Sequence, residues 1–299
     1  MSDMQFANMA KASLAAYQGR DPSFAPRLQF WIDQLGETPV RSITTEQIED
    51  AVDVLLARKA QRVVAIRENG KIVGTVMRET DEKLSPSTVK RYIAALGSCY
   101  RIAREERIVR GLQSPIRGLT KLPGGECRTV NVTVADVRRL VDACRVSRNR
   151  KLAALVAMAC TTGWRRGTLQ ALRWRDIDLT TGHADAGRTK NGTPHRAVLL
   201  PWVVTELRRM RPGQAAADDL VFGTTDCTKA WRAALRLARL PEEWTLHHCR
   251  HIAASVLAQS GASVPVIMAC LNHKTPSMAL RYSHLNTDAL RENLSRAWG

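Results

Sequence analysis

The sequence predicts a mostly helical α+β chain in two domains, and three observations lead there. At about 100–200 residues per domain, 299 residues with 44% hydrophobic side chains are enough for two packed cores. Apolar residues recur at helical spacing through most of the chain, whereas strand-like runs flank only two Asn-Gly pairs. Finally, Lys121-Leu122-Pro123-Gly124-Gly125-Glu126 interrupts a long helical pattern with one Pro and two Gly, as a linker does. The expected domains are 1–121 and 129–299, joined by a linker at 122–128.

In the first domain, Thr44-x-x-Gln47 reads as a capping box ahead of Ile48, Val52, Leu55 and Leu56. Residues 63–66 and 72–76 flank Asn69-Gly70, which predicts a β-hairpin at 63–76. Ser85-Pro86 joins an N-cap to Pro at the first helical position, and Val89, Ile93, Leu96 and Tyr100 then form one stripe. Lys90, Arg91, Arg101 and Arg104 decorate that helix, either as a grip on a DNA backbone or as a solvated face.

In the second domain, Thr133-x-x-Asp136 caps a helix bearing Val137, Leu140, Val141 and Cys144. Residues 151–162 form a buried helix, 169–172 continue helically, and 176–179 leave the helix. Two strands of a small antiparallel sheet flank Asn191-Gly192. Helices are then predicted over 201–210, 228–238, 246–259, 264–271 and 276–284, with a last one from 288.

Charge narrows the partner. The 45 Lys+Arg outnumber the 28 Asp+Glu, for a net charge of +17, and the sequence pI is about 10.2. The excess is +5 in 1–128 and +12 in 129–299, which points to a polyanion held by the second domain. Of the cations 35 are Arg, whose planar fork suits phosphate oxygens, although G+C-rich coding also raises Arg. The longest apolar run, 152–160, is far shorter than the roughly 20 residues of a membrane span. The first ten residues lack the basic stretch and apolar core of a secretory signal. Seven cysteines with no C-x-x-C pair fit a reducing cytosol better than a disulfide framework. The expectation is a cytoplasmic protein with no membrane partner.

Four stretches carry chemistry. In Thr162-Gly163-Trp164-Arg165-Arg166, a helix-ending Gly aims Arg165 and nearby N–H groups at an anion. Lys190 stands beside a tight turn, a mobile and exposed place for an ammonium group, where on its own a solvated lysine is the favoured reading. In His247-His248-Cys249-Arg250-His251, His247 shares a helix face with Arg250 and His251. A zinc site on His247, His251 and Cys249 is a rival, but the Glu of the H-E-x-x-H motif is missing. Lastly, Tyr282 follows His273 by nine residues, which one continuous helix would place on opposite faces. Thr275-Pro276 breaks that helix and lets two short ones converge. Two Arg, one Lys, His and Tyr together suit attack on a phosphodiester without a metal.

Taken in order, Arg165, Lys190, His247-x-x-Arg250, His273 and Tyr282 resemble the polar set of the tyrosine recombinases, also called phage integrases. The stretch from Thr162 through Leu179 is similar to the family's first arginine box, and Leu271 through His284 to its tyrosine box. The resemblance covers roughly 85–290. It implies that Tyr282 attacks phosphorus to form a 3′-phosphotyrosyl bond, with Arg165 and Arg250 clamping the phosphate. Lys190 would be the general acid, with His247 and His273 assisting by hydrogen bonding and proton handling. No metal, ATP or other cofactor is implied. The resemblance also implies a SAM-like, helical core-binding domain over 1–121, into which the hairpin is inserted, and a catalytic domain over 129–299. Lys90, Arg91, Arg101, Arg104 and Arg166 are the expected contacts to double-stranded DNA. A homotetramer on two DNA sites is implied, with the helix at 288–298 docking on a neighbour, in a cytoplasmic, nucleoid-associated protein.

The sequence departs from the pattern at Thr168, where the family usually has an acidic residue, and at His248, Cys249 and Asn272. Asn272 replaces a Gly, and Asn tolerates the left-handed conformation better than most residues. Rival readings are an inactive DNA-binding clamp, a topoisomerase using the same chemistry, and a zinc hydrolase.

Overall fold

The computed structural model describes residues 4–68, 71–124, 130–188, 194–224, 226–283, 291 and 295–298. The chain divides into two compact units, Met1–Glu126 and Cys127–Gly299.

The first unit comprises α1 (Phe6–Ala15), α2 (Phe24–Leu35), α3 (Thr45–Ala57), β1 (Lys59–Glu68), β2 (Lys71–Lys83) and α4 (Pro86–Glu105). A 3-10 turn at Pro115–Gly118 follows. The caps form where the sequence places them. Thr44 and Gln47 complete a reciprocal capping box, and the Ser85 side chain accepts from the Thr88 N–H. The apolar stripe of α4 is covered by the other helices. Phe6, Met9, Leu28, Trp31, Ile48, Leu55 and Leu96 are fully buried there. Trp31 also donates its indole N–H to the Tyr92 carbonyl at 2.8 Å.

The hairpin is longer than 63–76. Its antiparallel strands pair Val63 with Met77 and Val64 with Val76, and continue back to Lys59 and Lys83. The Leu84 N–H closes the base on the Arg58 carbonyl at 2.9 Å. Most of the ribbon's side chains stay exposed, including Val63, Val73 and Met77. No inside–outside alternation therefore marks its ends in the sequence. Its Asn69-Gly70 turn lies outside the described residues.

The second unit contains α5 (Val134–Arg145), α6 (Leu152–Thr162), α7 (Arg166–Ala171), β3 (Ile177–Asp178), β4 (His183–Arg188) and β5 (Pro194–Val198). It continues with α8 (Pro201–Met210), α9 (Thr228–Leu237), α10 (His248–Gln259), α11 (Val264–Leu271) and α12 (Pro276–Leu280). The strands form one antiparallel sheet in the order β3-β4-β5. Helix α6 is apolar nearly all round and buried, as the run at 152–160 requires, with α5, α8 and α10 packed on it. Thr133 and Asp136 form the capping box of α5.

Several predicted bounds are corrected; the helices expected over 151–162 and 169–172 run Leu152–Thr162 and Arg166–Ala171. The helix expected from 246 begins at His248, whose own ring nitrogen accepts from the Thr245 N–H at 2.9 Å. The helix expected over 276–284 stops at Leu280, because its last turn tightens. There the Tyr282 N–H bonds to the Ala279 carbonyl at 3.0 Å, and the Ser283 hydroxyl takes the Leu280 carbonyl at 2.8 Å. The helix expected over 228–238 ends at Leu237. The turn at 189–193 lies outside the described residues. So does most of 288–298, where only Arg291 and 295–298 are described, as helical. Among the described residues no helix is long and apolar enough to cross a membrane.

Replacing Thr133 by Ala removes the acceptor for the Asp136 N–H, and the expected cost is about 1 kcal/mol. Urea denaturation should show a lower midpoint with an unchanged m-value.

Candidate active site

Helices α6 and α11 both end in a left-handed residue. Gly163 has φ 62° and Asn272 φ 51°, the turn conformation expected of Asn at that position. After α11 the chain closes with a bond from the His273 N–H to the Met268 carbonyl at 3.0 Å. The two corners touch. A Cβ on Gly163 would stand 2.1 Å from Leu271 Cδ2 and 3.3 Å from Ala253 Cβ, so both backbone angle and space require glycine.

Arg250, on α10, ties these corners together. Its Nη1 donates to the Gly163 carbonyl at 2.7 Å and its Nη2 to the Leu271 carbonyl at 2.5 Å, with the residue 8% exposed. Arg165 comes two residues after Gly163 and is half-buried in extended backbone at the start of α7. Burial first, and then the Arg165 charge, push Arg250 down to about 10. Among the described residues, no carboxylate forms an ion pair with either arginine. Two guanidiniums without a counter-charge make a preformed anion site.

Histidines line this site. His273 follows the left-handed Asn272 and is pushed down to about 4 by burial, then by Arg250 and Arg165. Its Nδ1 is buried and has no hydrogen-bond partner among the described residues. His247 precedes α10 at its N-cap position, without a side-chain capping bond, and is exposed. Burial lowers His195 as well, with Arg250 and Arg165 contributing. His195 is not among the residues singled out by the sequence motifs. It lies on β5, with Nε2 bonded to the Ala269 carbonyl at 2.9 Å and its ring 5.6 Å from that of Trp164. The signal for it was a polar residue alternating with exposed Arg196 and Val198 in a strand just after the Lys190 turn.

Tyr282 is 5% exposed and packs among Ala253, Ala254, Ile267, Leu271 and Ala279. Its hydroxyl stands 2.7 Å from His251 Nδ1. It lies close enough to Arg250 that an ionised phenol there would favour the charged guanidinium. His251 is pushed down to about 4 by burial, then by His247, His248, Arg250 and Arg281. The zinc alternative on His247, His251 and Cys249 is not formed. Cys249 is fully buried in the core, and His251 is engaged with Tyr282. Among the described residues, no group of three or more His, Cys, Asp or Glu is placed to hold a metal ion.

The fold thus gathers Arg165, Arg250, His273 and Tyr282 in one electrostatically coupled cluster, with His247 at its edge. Lys190 lies outside the described residues. Arg166 is exposed at the start of α7, beside a cavity of about 170 Å³ that it lines with Trp231, Arg232 and Trp244. Lys90, Arg91, Arg101 and Arg104 are exposed on α4 of the other unit. Lys90 donates to the Pro123 carbonyl at 2.9 Å, and Arg101 pairs with Glu105 at 2.6 Å.

Residues 131–289 match the model of the phage integrase family. The chain is 30% identical over 207 residues to a shufflon-specific DNA recombinase of Escherichia coli, a match covering 69% of this chain and 53% of that protein. It is 25% identical over 293 residues to the integrase of Salmonella phage P22, covering 89% of this chain and 72% of the relative. The chain therefore spans about half the length of the Escherichia coli relative. In fold it is similar to the Tn1549 transposon integrase, solved in complex with transposon right end DNA. That likeness has a TM-score of 0.67 at 15% identity, covering 99% of this chain and 100% of that one.

Gly163→Ala should destabilise the protein by about 2 kcal/mol, from left-handed strain alone and more from the Leu271 contact, as read by urea denaturation. Stability should also fall as pH drops from 6.5 toward 4. In that window the unfolded chain binds protons that folded His251 and His273, held near 4, refuse. Thermal midpoints across that range should flatten in the double variant His251→Gln, His273→Gln.

Proposed function

Because the chain belongs to the phage integrase family, we propose that it is a site-specific DNA recombinase that cuts and rejoins duplex DNA through a covalent bond to Tyr282. The observation that carries this reading is the pair of guanidiniums without a counter-charge beside a buried tyrosine hydroxyl. Arg165 and Arg250 hold the non-bridging oxygens of one backbone phosphate, and the His273 ring assists beside them. The Tyr282 oxygen attacks phosphorus, forming a 3′-phosphotyrosyl bond as the bond to the 5′-oxygen breaks. Lys190 protonates the departing oxygen, and His247 assists from the edge of the site. A 5′-hydroxyl from the partner strand reverses the step. The phosphotyrosyl bond conserves the bond energy, so rejoining needs no ATP.

The relative named a shufflon-specific DNA recombinase supports the activity, and the transposon integrase solved with DNA supports the partner. Lys90, Arg91, Arg101, Arg104 and Arg166 contact phosphates, so binding weakens steeply with salt. The unit at 1–121 and the catalytic unit at 129–299 both bind the duplex. The assembly is a homotetramer on two DNA sites, linked through 288–298, and it works in the cytoplasm on the nucleoid.

Sequencing DNA trapped on Tyr282 in cells should recover one recurrent target site. Nicked duplexes built on that site should yield an SDS-resistant adduct with the purified protein, unaffected by EDTA and lost in Tyr282→Phe. Binding without an adduct would make the protein an inactive clamp, and relaxation of any supercoiled DNA by the monomer would make it a topoisomerase. An adduct that survives Tyr282→Phe overturns the assignment of the nucleophile. Lys190→Ala should slow cleavage about a hundredfold on ordinary DNA and far less with a sulfur at the 5′-bridging position. Equal slowing on both substrates removes Lys190 from the acid role.

A further inference from the structure

We propose that His251 takes the proton of the Tyr282 hydroxyl as that oxygen attacks phosphorus, and returns it when the strand is rejoined. The inference rests on the strand-cleavage reading above. The 2.7 Å contact between His251 Nδ1 and the Tyr282 hydroxyl is the geometry of a nucleophile with its base. The placement is local in origin. His251 follows Arg250 directly on α10, so the helix that anchors the guanidinium also fixes the imidazole. One turn earlier on the same face stands His247, whose ring meets that of His251 edge-on at 5.4 Å.

The charged groups that act on His251 work against a positive charge on its ring: His247, His248 and Arg250 from α10, and Arg281 from the turn after α12. Tyr282, from the same turn, is its hydrogen-bond partner. His273, after α11, is coupled to it as well. Burial and these neighbours keep the ring neutral, with pKa about 4, throughout the neutral range, and in the tautomer protonated on Nε2 the Nδ1 lone pair accepts the phenol proton. A base this weak cannot ionise a resting phenol. Transfer must accompany attack, when the forming bond to phosphorus strips the oxygen of its affinity for the proton. The phosphate held by the two arginines then offsets the new imidazolium. In balance, the Tyr282 O–P bond forms, the P–O5′ bond breaks with its electron pair on O5′, and the phenol proton moves to Nδ1. O5′ receives its proton from Lys190. Rejoining runs each transfer backwards.

The test uses the full chain and nicked duplexes carrying the recovered site with a sulfur at the 5′-bridging position, which removes the need for an acid. Single-turnover adduct formation is followed from pH 6 to 9 for the wild type, His251→Ala and His251→Asn, each checked for folding by circular dichroism. The wild-type rate should be flat. Both variants should be at least tenfold slower at pH 7 and should gain about tenfold per pH unit, because hydroxide must then remove the proton. Asn places a hydrogen-bonding atom close to the position of Nδ1. A wild-type rate and flat profile in His251→Asn would therefore reduce His251 to a residue that merely positions the hydroxyl, and would overturn proton transfer. Wild-type behaviour in both variants would remove His251 altogether. Absence of an adduct with the wild type would instead remove the strand-cleavage reading itself, and the role of His251 with it.

Discussion

The second unit is organised around one buried guanidinium. Arg250 gives two N–H groups to main-chain oxygens at the ends of two helices, Gly163 after α6 and Leu271 at the end of α11. Hydrogen bonds to a charged group contribute about 1.5–3 kcal/mol each, and leaving such a group buried without them costs more. The rest of the cluster inherits its position from this junction. Arg165 leaves the Gly163 corner, His273 leaves the Asn272 corner, and Tyr282 packs on the Leu271 and Ala253 side chains that meet Gly163. The contact that joins the two helix ends and the polar cluster around it are here the same set of atoms.

Compensation, more than the number of cations, distinguishes this cluster. Elsewhere in the same unit arginines find carboxylates. Arg145 reaches the buried Glu206 at 2.6 Å, and Arg236 pairs with Glu242 at 2.7 Å. Around Arg250 the neighbours are another arginine and histidines held neutral by burial. Positive charge that the chain does not neutralise internally is free to act on something external, and an oxyanion is what such a pocket is built to meet.

Features governed by neighbouring residues were legible in the sequence. Thr44, Ser85 and Thr133 cap helices because the bonds they make span three positions. Gly163 and Asn272 announce their corners because few residues tolerate a positive φ. The order of Arg, His and Tyr residues pointed to a shared site even though 117 positions separate Arg165 from Tyr282. What stayed hidden depends on partners distant in sequence. His195 acquires meaning only when β5 lies against α11, and His251 only when the turn after α12 brings Tyr282 to it across 31 residues. Local bonding by Ser283 and Tyr282 ended α12 early against a helical pattern that continued. The strands of the exposed ribbon ran past their apolar centre because burial does not set their ends.

The way Arg250 is held bears on how this protein can change over generations. Its two acceptors are carbonyl groups, which every amino acid carries, so no point mutation can delete them by swapping a ligand side chain. What inheritance must preserve is the path of the main chain through the two corners. Apart from Gly163 and the polar cluster itself, positions near the guanidinium can change in identity as long as that path survives, and an unusual neighbour such as Cys249 can settle there without unseating the charge.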